Sequence, residues 1–277
     1  MHDDPLERMP AGARITLLGE GTDFRAYDVD GRDVLRIPRH DGARDALLAE
    51  ARWTAWLARR LPLPIPSYRH VVLSPRPFAL YARLRGTPAL RVALEQQDLA
   101  AIGARLGELL RVLHGLPLDP ISGLQPDDDP TLAAWSAEAL SDLRTAEQHG
   151  HHLDARWARE LGSPPSVIAI TPCVIHGDFA AEHVLLDEDA MPCGVIDWSD
   201  AVLGDPARDL AGLVHWGGAP MLASALQRYG SIDAATLERA RWLATCRAVA
   251  DVAFGAQRGR PEHVGAGLRA LAHVASM

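Results

Sequence analysis

The chain has 277 residues, 48% hydrophobic and 23% charged, the proportions of a water-soluble globular protein with enough length for a sizeable core. Its 28 basic residues against 36 acidic give a net charge of −8, which argues against a nucleic-acid partner and suits a cationic one. All the basic residues are arginine, so a Walker A loop and lysine Schiff-base chemistry are both excluded. No apolar run reaches the roughly 18 residues of a membrane helix, and the opening MHDDPLERMP has no apolar leader core, so a cytoplasmic protein without a membrane partner is expected. Three cysteines without CxxC spacing, Cys173, Cys193 and Cys246, read as small buried hydrophobes.

In chain order, Ile15 to Leu18, Phe24 to Tyr27 and Val34 to Ile37 read as strands. They are joined by a glycine loop at Gly19 and Gly21 and by a turn at Asp30-Gly31. The two loop glycines would let backbone N–H groups approach phosphate oxygens. Asp41 to Arg60 reads as a helix with Leu47, Leu48, Ala51, Ala55 and Leu57 among its apolar positions, and it leaves Glu50 available to pair with Arg36. Pro62, Pro64 and Pro66 end that helix. Two further strands, Val71 to Leu73 and Phe78 to Ala82, follow.

The rest turns helical. Asp98 to His114 carries Leu99, Ile102, Leu106, Leu109, Leu110 and Leu113 at helical spacing, with Gly115-Leu-Pro117 as its stop. His114 reads as a satisfied structural histidine, and His149, His151 and His152 as an exposed helix end rather than a metal cluster. Thr131 to His149, Ala155 to Leu161, Leu210 to Tyr229 and Ala234 onward read as helices, with an interruption at Gly217-Gly218.

The most informative stretch lies between these helices, VIHGDFAAEHVLLDEDAMPCGVIDW, Val174 to Trp198. Asp178 follows a short apolar strand, Cys173 to Ile175, where a carboxylate can accept the proton of an attacking hydroxyl. His183 comes five residues later. A hairpin of Val184 to Leu186 and Cys193 to Ile196 then delivers Asp197 to the same mouth, so a base and two Mg²⁺ ligands converge. A neutral imidazole is a softer ligand for Mg²⁺ than an amide oxygen or a carboxylate.

With Gly204-Asp205-Pro206-Ala207-Arg208-Asp209 downstream, the segment resembles the antibiotic kinases, whose pattern is HGDxxxxN, I-D, then D-P-x-x-D. His183 in place of the asparagine resembles the macrolide 2'-phosphotransferases and aminoglycoside 2''-phosphotransferases. The resemblance implies an α+β, bilobal, protein-kinase-like fold. Residues 1–85 would form a small nucleotide-binding lobe of antiparallel sheet plus helix, and 86–277 a larger helical lobe carrying the catalytic loop, metal site and acceptor pocket. It puts Arg36 in the place of the phosphate lysine and Glu50 in that of its helix partner, with backbone groups around Ala82 and Leu84 at a purine-binding hinge. Asp205 and Asp209 are expected to fix the catalytic loop or the following helix rather than touch substrate.

The implied activity is Mg²⁺-dependent transfer of the γ-phosphate of ATP or GTP to a hydroxyl of an aminoglycoside or macrolide. The protein would be a monomer or weak dimer. The acceptor is the least specified part. Asp200, Glu182 and Asp127, the last in the Pro-flanked run Asp127-Asp128-Asp129, are the carboxylates assigned to a cationic acceptor, while Trp135, Trp157, Trp198 and Trp216 offer apolar surface for a macrocycle. Two alternatives stay open: a kinase of the same fold acting on choline, homoserine, a fructosamine or a sugar, and a non-catalytic nucleotide-binding pseudokinase.

Overall fold

The computed structural model describes residues 4–21, 23–74, 76–117, 124–126, 131–166 and 170–277. Five strands, β1 (Ile15–Glu20), β2 (Phe24–Val29), β3 (Asp33–Pro38), β4 (Tyr68–Val72) and β5 (Phe78–Ala82), form an antiparallel sheet in the order β1-β2-β3-β5-β4. Side-chain alternation divides β3: Leu35 turns to a small core with Val29 and Phe78, while Arg36 turns to the opposite face. On the face carrying α1 (Asp41–Leu57), Ala43 and Leu47 pack on Phe24 and Ala79. The far end of α1, with Trp53, Trp56 and Leu57, enters the main core.

That core is helical. It is built from α2 (Gln96–His114), α3 (Ala133–Gln148), α4 (Ala155–Leu161), α5 (Ala207–Tyr229), α6 (Ala234–Arg258) and α7 (Pro261–Ala275). α2 and α5 approach almost backbone to backbone. A methyl group at Gly107 would lie 2.1 Å from the Ala225 carbonyl oxygen, and one at Gly103 2.5 Å from that of Met221. α2 begins two residues earlier than its apolar periodicity suggests, because Glu95 and Asp98 form a reciprocal capping box. Gly218, at φ 59° and ψ −152°, interrupts α5 at the expected place, and Gly259 in the left-handed region followed by Pro261 separates α6 from α7.

Four short strands and a two-residue one sit between sheet and helices. β7 (Cys173–Ile175) pairs with β10 (Val202–Gly204), and β6 (Thr87–Pro88), β8 (Val184–Leu186) and β9 (Pro192–Val195) form a second ribbon. The α+β kinase-like arrangement expected from the sequence is present, with an antiparallel sheet first and a helical remainder. Three local expectations are corrected. Gly19 lies inside β1, paired with Ala26 beside a bulge, instead of in a loop. β4 starts at Tyr68 rather than Val71, and β9 ends at Val195, with the Ile196 N–H donating to the His183 carbonyl. No described helix is long and apolar enough to cross a membrane.

Candidate active site

The loop expected to be catalytic, His176 to His183, leaves β7 through Gly177. This residue has φ +82°, and a Cβ on it would lie 2.1 Å from the Asp200 carbonyl oxygen, so both conformation and space require glycine. The loop hangs from one buried carboxylate. Asp209, 0% exposed, accepts the backbone N–H groups of His176 (2.9 Å) and Gly177 (3.0 Å), and its Oδ2 lies 3.1 Å from His114 Nε2. His114 Nδ1 in turn lies 2.8 Å from the Tyr229 hydroxyl, which makes it the structural histidine its position suggested. Arg208 donates to the Gly177 carbonyl at 3.1 Å. Gly212 on α5 admits the Phe179 carbonyl, which a Cβ there would meet at 1.8 Å. Asp205 ties the start of α5 to α6 by accepting from Arg239, and it also caps Ala207 N–H. Asp205 and Asp209 thus hold the loop and the helix after it.

His176 is fully buried. Its Nε2 lies 3.0 Å from the Ile196 carbonyl and its Nδ1 accepts the Asp178 N–H at 3.3 Å, an arrangement that fixes the Nε2–H tautomer. Burial holds its pKa down, in keeping with the neutral ring.

Asp178, His183 and Asp197 do converge. His183 Nδ1 donates to the Asp178 carbonyl (2.8 Å) and lies 3.4 Å from Asp178 Oδ2, while its Nε2 faces Asp197 Oδ2 across 3.7 Å. Burial pushes the Asp178 carboxyl up, but Arg247, His183 and His176 outweigh it and hold the group well below the usual carboxylate range. Asp197 adopts φ 60°, a left-handed conformation costing roughly 1–2 kcal/mol for a non-glycine residue. Ser199 Oγ (2.9 Å) and Arg36 NH2 (3.0 Å) both donate to its Oδ1. The Asp197 carboxylate suits a hard divalent cation, and His183 Nε2 opposite it adds a softer nitrogen donor whose ring is oriented by the bond at Nδ1.

Arg36 pairs with Glu50 as expected, but it does more. Its NH1 donates to both Glu50 oxygens (2.7 and 2.8 Å) and to the Tyr68 hydroxyl (2.9 Å), and its carbon stands 4.0 Å over the Phe24 ring. With NH2 on Asp197, this guanidinium bridges α1 to the turn after β9. Glu50 is 0% exposed, and Tyr68 donates to it as well at 2.9 Å.

These groups open on a cavity of about 1000 Å³. Its sheet end is lined by Ala26, Val34, Tyr81, Leu84, Leu185 and Ile196, an apolar slot suited to a planar base. Gly19 and Gly21 line it too, and the Gly21 N–H is given to the Phe24 carbonyl at 2.9 Å. Ala82, on β5, pairs with Asp33 of β3 and its side chain is exposed, while Tyr81 turns inward and Leu84 lines the cavity. The opposite end carries Glu138 and Asp142 from α3, Glu182 and Asp200 near the loop, Asp251 from α6 and Glu262 from α7, with Trp135 and Phe254 as aromatic wall. Trp198 and Trp157 belong to the core instead, Trp198 donating to the Val195 carbonyl. Asp127 lies outside the described residues.

Sequence reasoning missed Tyr68, Ser199, Arg247, Asp251 and His263. Arg247 NH2 donates to Asp178 Oδ1. Glu182, Asp251 and His263 each place one ligating atom within 4.8 Å of the others. Arg247 and Asp251, one turn apart on α6, share a face by the i,i+4 rule, the one pattern that links them in the sequence.

Residues 14–243 match the phosphotransferase enzyme family, APH, and the chain belongs to that family. It is therefore a phosphotransferase. Among similar proteins, the uncharacterized protein YcbJ of Bacillus subtilis (strain 168) is 27% identical over 276 residues, 91% of this chain and 87% of that one. The viomycin phosphotransferase of Streptomyces vinaceus is 33% identical over 116 residues, 41% of this chain and 40% of that one. Among solved structures, the GDP and kanamycin complex of APH(2")-IIia has a TM-score of 0.69 at 21% identity, covering 95% of this chain and 93% of its own. The macrolide 2'-phosphotransferase type I has 0.63 at 26%, covering 93% and 91%.

Proposed function

We propose that this protein is a Mg²⁺-dependent kinase that moves the γ-phosphoryl group of ATP or GTP to a hydroxyl of a cationic antibiotic of the aminoglycoside or macrolide kind. The observation carrying this reading is the meeting of Asp178, His183 and Asp197 in one cavity, with the buried Arg36–Glu50 pair behind them. Residues 1–85 hold the nucleotide and residues 86–277 the catalytic loop and acceptor.

Asp178 accepts a hydrogen bond from the attacking hydroxyl and orients it, taking its proton as the new oxygen–phosphorus bond forms. The bond between the γ-phosphorus and the bridging oxygen breaks, and the nucleoside diphosphate leaves with that electron pair. Asp197 and His183 would hold Mg²⁺, which when bound supplies charge neutralisation across the phosphates. Arg36 fixes the Asp197 carboxylate and sets its cationic charge at the back of the phosphate path. The Glu138, Asp142, Glu182, Asp251 and Glu262 carboxylates favour an acceptor bearing several ammonium groups.

A second reading is a metabolite kinase of the same fold, since the residues that would carry phosphoryl transfer are the same for either kind of acceptor. One experiment separates them. Mg²⁺-dependent consumption of ATP and of GTP is measured against panels of aminoglycosides, macrolides and small alcohols, for the wild type and Asp178→Asn. Turnover confined to one antibiotic class, lowered about 10²–10⁴-fold in the variant, supports the proposal. Turnover only with choline, homoserine or sugars replaces it by the metabolite kinase, and near-normal turnover in Asp178→Asn removes that residue from the mechanism. Asp197→Asn is expected to lose Mg²⁺-dependent nucleotide affinity, and unchanged affinity there rejects the metal role.

A further inference from the structure

We infer that Arg247 on α6 is a positioning residue for phosphoryl transfer, one that fixes Asp178 in place and keeps the acceptor's own ammonium groups off it. The inference rests on the phosphotransferase reading above. Its basis is geometric. Arg247 NH2 donates to Asp178 Oδ1, and its NH1 reaches the Phe179 carbonyl at 3.5 Å, so one planar guanidinium holds both a side chain and the backbone of the catalytic loop. The other carboxylate oxygen, Oδ2, faces His183 Nδ1 at 3.4 Å. Held at Oδ1 by Arg247, the Asp178 carboxylate has Oδ2 left to meet a hydroxyl.

The second part follows from charge. Arg247 is one turn from Asp251 on the same helix, and its NH2 lies 4.0 Å from Glu182 Oε1. Both of those carboxylates line the acceptor end of the cavity. A polyamine drawn to them would be drawn equally to Asp178, and an ammonium–carboxylate contact in a partly buried cavity is stronger than a neutral hydroxyl–carboxylate hydrogen bond. An acceptor seated with its amine on Asp178 presents no nucleophile to the phosphorus. Arg247 occupies that position with a cation belonging to the protein itself. Lysine, a point charge on a flexible stem, would reach the carboxylate but not span it and the Phe179 carbonyl together.

The test compares wild type, Arg247→Ala and Arg247→Lys, with melting curves to verify folding. ATP and GTP are the donors, and kanamycin, a macrolide and glycerol the acceptors, with nucleotide hydrolysis by water read in the same assay. Arg247→Ala is expected to lose about 100-fold in kcat, the scale of a small misplacement of a reacting group. The nucleotide KM should stay within about 2-fold, and the KM of a cationic acceptor should hold or fall, because a competing cation has been removed. Glycerol should show no such fall. Arg247→Lys should recover part of kcat, and millimolar guanidinium ion should partly rescue Arg247→Ala. A kcat within about 3-fold of wild type overturns the inference. So does a joint rise of both KM values with no rescue by lysine or guanidinium, the result of purely structural damage. Wild type that binds nucleotide yet consumes none with these acceptors, nor with choline, homoserine or sugars, removes the kinase reading itself, and the inference with it.

Discussion

Replacing Asp209 by alanine tests how the catalytic loop is held. The carboxylate is fully buried, accepts two backbone N–H groups of the loop and contacts His114. Hydrogen bonds to a charged group contribute about 1.5–3 kcal/mol each, and removing one partner of a buried charged pair costs about 3–5 kcal/mol. The three contacts share one group and are not additive, so a loss of about 4 kcal/mol is expected. At roughly 2–4 °C per kcal/mol for a domain of this size, the melting temperature should fall by about 8–16 °C at pH 7. Burial pushes the Asp209 carboxyl up, but its bond to His114 and the nearby His176 prevail and hold it below its ordinary value. Its stabilisation is therefore complete above the carboxylate range of the unfolded chain and is lost as pH falls through the lower folded-state value. The gap between wild type and variant, followed by calorimetry from pH 7 downward, should narrow below about pH 4. A gap under about 3 °C at pH 7, or one that stays constant into acid, would refute the reasoning.

Three other outcomes follow from the same geometry. Gly177→Ala forces a Cβ to 2.1 Å from the Asp200 carbonyl at φ +82°, so turnover should drop at least about 10-fold while the helical circular dichroism stays unchanged. Unaltered kinetics would mean that the loop has room the structure does not contain. Glu50→Gln leaves buried Arg36 with Asp197 as its one charged partner, a loss of about 3 kcal/mol; a nucleotide KM raised about tenfold in equilibrium and steady-state assays is expected, and a KM unchanged in a stable variant removes Glu50 from nucleotide binding. Gly107→Ala drives a methyl into the Ala225 carbonyl and should cost about 1–3 kcal/mol in urea unfolding, with kcat per folded molecule retained. A variant as stable as wild type would show that α2 and α5 separate easily.

What could be read from the sequence was whatever is local. His176-Gly-Asp178, His183 and Asp197 sit on one short loop and hairpin, so their spacing alone brings them together. Arg36 and Glu50 were legible because a strand followed at once by a helix fixes which positions meet. Arg247, Asp251 and His263 were not, since they reach the cavity only through the packing of α6 and α7, and on α6 the arginine is flanked by buried Cys246 and Ala248 with nothing to mark it.

The guanidinium of Arg36 also decides how this protein can be seen. Reagents that mark nucleotide sites by acylating an amine near the phosphates find none here, because the chain contains no lysine and the group in that place is a buried arginine, 6% exposed. In a proteome-wide survey built on such reagents the protein would register as no nucleotide binder at all. Dicarbonyl reagents, which condense with guanidinium groups, would meet Arg36 only after Glu50, Tyr68 and Asp197 let go of it, so its slow modification would report the opening of the site itself.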